Sequence, residues 1–154
     1  MSYMRQLLAD TLSSAIWKVS TFPGTLDQVA AARRTIREMW AANPSLNGDF
    51  LDDLLLMVSE LTANAIRHTR SGDPGGLVGL VVTAHSTGVR VEVIDQGSRT
   101  VPRVIGPEDD DMPLRRGGRG LALVEATSDR WGHHPVSMVT ARRGRVVWFE
   151  KGTA

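Results

Sequence analysis

Apolar and polar residues alternate through residues 15–22 (AIWKVSTF), which predicts a first strand closed by Pro23 and Gly24. The pattern then changes to a helical one. Leu26, Val29, Ala30, Arg33, Ile36, Arg37 and Trp40 fall on successive turns, so a helix is predicted over residues 25–42 with Thr25 as its cap. The run NPSLNG ends it, and Asp49 is expected to start a second, longer helix whose apolar face is Leu51, Leu54, Leu55, Val58, Leu61 and Ala65. The cluster SGDPGG reads as a turn. Two strands follow, LVGLVVTA and VRVEVID, joined by a hairpin at 85–88. Residues 96–118 carry Gly, Pro and an acidic run but no periodic apolar pattern, and a loop of that length is usually functional. GRGLALVEATSD then predicts a short helix, and RWGHHP, VSMVTARR and RVVWFEK predict closing strands and turns. The sum is an α+β two-layer sandwich, a mixed or antiparallel sheet with helices on one face.

Composition narrows the function classes. The chain has 154 residues, room for one domain with a proper core, and its 42% hydrophobic and 23% charged content is that of an ordinary globular protein. A net charge of +1 gives no electrostatic case for nucleic acid or an anionic membrane. The absence of cysteine excludes a disulfide framework and any thiolate nucleophile or metal site. With no membrane-length apolar run and no signal-peptide core, the expected location is the cytoplasm.

Three segments carry candidate chemistry. In SELTANAIRHT, Glu60, Asn64 and His68 are spaced by four and share one narrow helical stripe. A strand ends at Asp95, followed by Gln96 and Gly97, and GGRGL (residues 117–121) stands ahead of a helix. A buried carboxylate at a strand end accepts the amino hydrogen of adenine, and Gly97 lets the chain approach the base. Glycines at a helix start expose N–H groups to phosphate. Asn64 offers the hard oxygen that Mg²⁺ prefers, and Glu60 is placed to take a proton from an attacking hydroxyl. Taken singly, each segment is most simply a solvated helix face, a turn or a glycine-rich connection. Their order and context point to a nucleotide. His133 and His134 are expected at the surface or at strand ends, Asp109–Asp111 in a solvated loop, and Trp17, Trp40, Trp131 and Trp148 in core or sheet-face packing, Trp17 alternatively in a dimer contact.

The order E-x-x-x-N-A-x-x-H, then D-x-G, then G-x-G-L resembles the GHKL ATPase superfamily, whose ATP-binding domain has the Bergerat fold. Within it the chain is most similar to stand-alone anti-sigma-factor serine/threonine kinases and actinobacterial ATP-binding regulators, from FPGTLDQVAAARR to RVVWFEK. The resemblance implies an N-terminal extension at 1–13 and an ATP-binding domain at 14–152. It implies Glu60 as catalytic base and Asn64 as Mg²⁺ ligand, with Asp95 and Gly97 at adenine. Gly118, Gly120 and Leu121 match the phosphate-side motif, with His68 and Arg119 as phosphate neighbours. ATP and Mg²⁺ are the implied cofactors, and residues 99–117 the implied ATP lid. Where that subgroup commonly has a threonine near the adenine, this chain has Val146, leaving Thr140 as the remaining polar candidate. The implied activity is phosphorylation of a small anti-sigma-factor antagonist, with a sigma factor as the competing partner. The alternatives are an ATP-binding module that sequesters a regulator without catalysis, and a nucleotide-free interaction domain.

Overall fold

The structure, a computed structural model, describes residues 15–46, 48–85, 87–97, 115–137 and 143–152. Its strands are β1 (Ala15–Pro23), β2 (Leu77–Ala84), β3 (Gly88–Asp95), β4 (Arg130–Ser137) and β5 (Arg143–Gly152). They form one sheet in the order β1-β2-β3-β5-β4, with every neighbouring pair antiparallel. The helices are α1 (Val29–Ala42), α2 (Leu51–His68) and α3 (Arg115–Thr127). The α+β sandwich expected from the sequence is the fold observed.

The period-two alternation of the strands builds the core. Val78, Leu80 and Val82 of β2, Val89, Val91 and Val93 of β3, and Val147 and Phe149 of β5 are all buried against the helices. They meet Ile36 and Met39 of α1, Leu54, Met57, Val58 and Leu61 of α2, and Leu121 and Val124 of α3. Helix α2 is central, touching both other helices and β3. Its placement is reinforced by a polar tie. Arg33 Nη1 donates to Ser59 Oγ at 2.8 Å and to the Leu55 carbonyl at 3.2 Å, and Ser59 Oγ donates to that same carbonyl at 2.6 Å. Arg33, on the helical face expected to be apolar, is therefore an interhelical tie one residue short of Glu60. At the other end, Lys151 Nζ donates to the Thr127 carbonyl at 2.8 Å, satisfying an open acceptor at the end of α3.

Several boundaries differ from those expected. Thr25 does not cap a helix: its hydroxyl donates to the Asp27 carboxylate, a single 3₁₀ turn spans Leu26–Gln28, and α1 begins at Val29. Leu26 is accordingly 50% exposed. Helix α2 begins at Leu51 rather than Asp49. Helix α3 begins at Arg115, so the glycines of GGRGL lie inside its opening turns rather than before it. Residues 130–137 form one strand, although Pro135 lies within it. That strand is at the sheet edge, where a missing N–H is tolerated. Trp17, Trp40 and Trp131 pack against the core, Trp40 edge-on to Phe50 with centroids 4.8 Å apart, while Trp148 lies on the helix-free sheet face beneath Arg90.

Candidate nucleotide-binding site

The inward row of β3 runs Val89, Val91, Val93 and then Asp95, which places a carboxylate where the core pattern calls for a hydrophobe. Asp95 is only 5% exposed. Burial pushes its carboxyl above the usual range, opposed by the hydrogen bond from the Gly97 N–H and by the charge of Arg145. The Gly97 N–H donates to Asp95 Oδ1 at 2.7 Å. Gly97 has φ of +102°, and a Cβ there would collide with the Arg143 carbonyl, so the turn after β3 admits only glycine without strain.

The segment after α2 fastens this turn to the helix that carries the polar stripe. Gln96 N donates to Ser71 Oγ at 3.0 Å, Arg70 N to the Gly97 carbonyl at 2.9 Å, and Leu77 N to Gln96 Oε1 at 2.9 Å. Ser71 is fully buried. The cluster SGDPGG, legible only as a turn, is thus the brace between the two halves of the site. A buried serine beside three glycines was its one signal.

On α2, Glu60, Asn64 and His68 follow one another along the stripe, each half-buried. Helix α3 brings Gly120 against them: a Cβ on Gly120 would lie 2.6 Å from Asn64 Nδ2 and 3.3 Å from Glu60 Oε2. No side chain larger than hydrogen fits there without moving the stripe. His68 closes the helix. Its Nε2 is buried without a hydrogen-bond partner among the described residues, and burial together with the Arg67 charge holds the imidazole below its ordinary pKa.

The remaining expected residues divide. Gly118 and Arg119 lie in the opening turns of α3, where the N–H groups of residues 115–117 have no acceptor within the helix. The expectation that glycines precede the helix is corrected, but Gly117 still belongs to this open set. Leu121 packs in the core at 5% exposure, so its side chain anchors α3 and does not face a ligand. Thr140 and most of the expected lid, residues 99–114, lie outside the described residues. The reading of Val146 is corrected by register. Val146 pairs with Ile94 on the face opposite Asp95, whereas Arg145 pairs with Asp95 itself. The pocket-side position in that stretch is therefore Arg145, whose Nη1 lies 3.0 Å from Nδ1 of His133. His133, expected at the surface or at a strand end, is partly buried in the middle of β4, and burial and Arg145 lower its pKa. Sequence reading missed Arg70, Ser71, His133 and Arg145, because their place depends on strand register and loop path.

Observations of the structure fit a nucleotide with a divalent cation. The orphaned His68 Nε2 asks for a partner that a ligand would supply. The Gly120 approach forms a cradle that a Cβ would fill. Among the described residues no three His, Cys, Asp or Glu side chains converge on a metal site, so a cation here needs Asn64 together with ligand oxygens and water. Among the described residues, too, no helix is long and apolar enough to cross a membrane.

The chain is similar to several known proteins. A serine-protein kinase RsbW of Oceanobacillus iheyensis is 26% identical over 114 residues, covering 70% of this chain and 72% of that one. The serine-protein kinase RsbW of Listeria monocytogenes serovar 1/2a is 29% identical over 96 residues, covering 58% of this chain and 61% of that one. The crystal structure of the SiaB–SiaC complex from Pseudomonas aeruginosa contains a chain with the same fold, at a TM-score of 0.61 and 12% identity, covering 97% of this chain and 98% of that one. Residues 22–151 match the family model described as the histidine kinase-like ATPase domain, and the chain belongs to that family.

Proposed function

We propose that the protein is an ATP-dependent serine/threonine protein kinase acting on a small regulatory protein in a partner switch. The observation that carries this reading is the convergence of Glu60 and Asn64 of α2 with Gly120 of α3, together with a buried Asp95 at the end of β3 whose neighbour Gln96 is tied to Ser71 just after α2. Asp95 accepts from the adenine amino group, which guanine lacks at that position. The open N–H groups at the start of α3 would receive the phosphates, with His68 and Arg119 as the neighbours the motif resemblance implies. Asn64 would hold Mg²⁺ through its amide oxygen, and that ion supplies neutralisation of charge on the phosphate oxygens. Glu60, one turn earlier on the same stripe, takes the proton from the acceptor hydroxyl.

The similarity to serine-protein kinases supports serine or threonine as the acceptor. The motif resemblance supports an anti-sigma-factor antagonist as the phosphorylated partner and a sigma factor as its competitor, in the cytoplasm. Phosphorylation adds charge that weakens one of two complexes formed on a shared surface. The non-catalytic alternative keeps the absence of a threonine hydroxyl near the adenine as its support, the pocket-side residue of that stretch being Arg145.

The test is capture of partners from the source cell with and without ATP, followed by transfer of labelled γ-phosphate to the captured protein. Transfer to a serine or threonine is expected. ATP and partner binding without transfer would overturn the kinase reading in favour of a sequestering module.

A further inference from the structure

We propose that Arg145 is a base-reading residue, its guanidinium donating to the purine ring nitrogen beside the amino group that Asp95 accepts. This deepens, and rests on, the nucleotide reading of the site.

Asp95 and Arg145 are direct register partners across β3 and β5, on the inward face. Side chains so paired stand roughly 5 Å apart at Cβ, within reach of one planar ligand edge. Among the described residues Arg145 closes no ion pair with Asp95. It is held instead at 3.0 Å from Nδ1 of His133, while Asp95 accepts from Gly97. The guanidinium charge still acts to lower the Asp95 carboxyl pKa, against the larger effect of burial. A fixed acceptor and a fixed donor are thus presented side by side. Adenine offers the matching sequence, an amino donor flanked by the ring acceptors N1 and N7. A neutral side chain at position 145 could not give a charge-assisted hydrogen bond there. A guanidinium has five N–H groups, so others remain for a ligand after one engages His133.

The experiment titrates ADP, 1-deaza-ADP and 7-deaza-ADP into wild type, Arg145→Ala and Arg145→Lys, each checked for folding by thermal melting. The wild type should lose about tenfold in affinity for one of the two deaza analogues. Arg145→Ala should bind ADP about tenfold more weakly and no longer distinguish ADP from that analogue, while Arg145→Lys should retain part of the discrimination. A folded Arg145→Ala that binds ADP as the wild type does, or that binds weakly yet still discriminates, overturns the assignment. If the wild type binds ADP but ignores both missing nitrogens, the assignment also falls while the nucleotide reading stands. A wild type that binds none of the three removes both.

Discussion

Gly120 of α3 lies so close to Asn64 of α2 that a methyl group on its Cα would come within 2.6 Å of the Asn64 amide nitrogen. Replacing glycine by alanine inside a helix ordinarily stabilises it by about 1 kcal/mol. Here that gain is offset, because the added carbon also lies 3.3 Å from Glu60 Oε2 and the ends of both polar side chains must swing aside. Gly120→Ala is expected to change the melting temperature little and to weaken ATP binding at least tenfold by displacing Asn64 and Glu60, read by thermal melting and calorimetry. A stabilised variant with unchanged affinity would place α3 elsewhere.

Ser71 is expected to act as the brace of the base end. Its Oγ, on a fully buried residue, accepts from the half-buried Gln96 N, so Ser71→Ala removes that acceptor at a cost of about 1 kcal/mol. Urea unfolding measures that loss directly. A change below about 0.5 kcal/mol, the scatter of an inert surface substitution, would show that Gln96 finds another acceptor.

How much of this was legible in the sequence follows from which interactions are local. The stripe of Glu60, Asn64 and His68 is fixed by helical spacing, and Asp95 follows from continuing the inward alternation of Val89, Val91 and Val93 past the core. Strands β2 and β3 alternate cleanly and were read at nearly their observed bounds. Strand β4 was not, since RWGHHPVS is a sheet edge and needs no regular apolar row. The start of α3 was placed late because three glycines in its first six residues argue against helix, and contact with α2 overrides that preference. Arg145 was assigned no role and Val146 the wrong one, because which of two consecutive residues faces the pocket depends on pairing with β3, and a one-residue slip exchanges them.

The raised pKa of Asp95 gives opposite signs for stability and for binding. The folded state holds this proton at a higher pH than the unfolded chain does. Its contribution to stability is therefore present below the ordinary carboxylate pKa and is lost as pH rises through the raised one. His133 acts the other way: its lowered pKa contributes stability above the ordinary imidazole value, lost as pH falls. ATP affinity should decline as pH falls through the Asp95 transition, since protonation removes the charged acceptor. Subtracting the Asp95→Asn curve from the wild-type curve, for both unfolding and binding, isolates this group. A flat difference in stability would mean that Asp95 is not desolvated as its burial implies.

The division of labour along the stripe tests the kinase reading most directly. Glu60→Gln keeps the shape of the side chain and removes its basicity, while Asn64→Ala removes the expected metal ligand. The decisive measurement is labelled-phosphate transfer to the cognate partner, run beside an ATP titration with and without Mg²⁺ for wild type and both variants. Glu60→Gln should bind ATP normally and transfer phosphate on the order of 10²–10⁴-fold more slowly, whereas Asn64→Ala should lose the Mg²⁺-dependent part of binding as well as transfer. Transfer at the wild-type rate by Glu60→Gln would contradict the role assigned to Glu60.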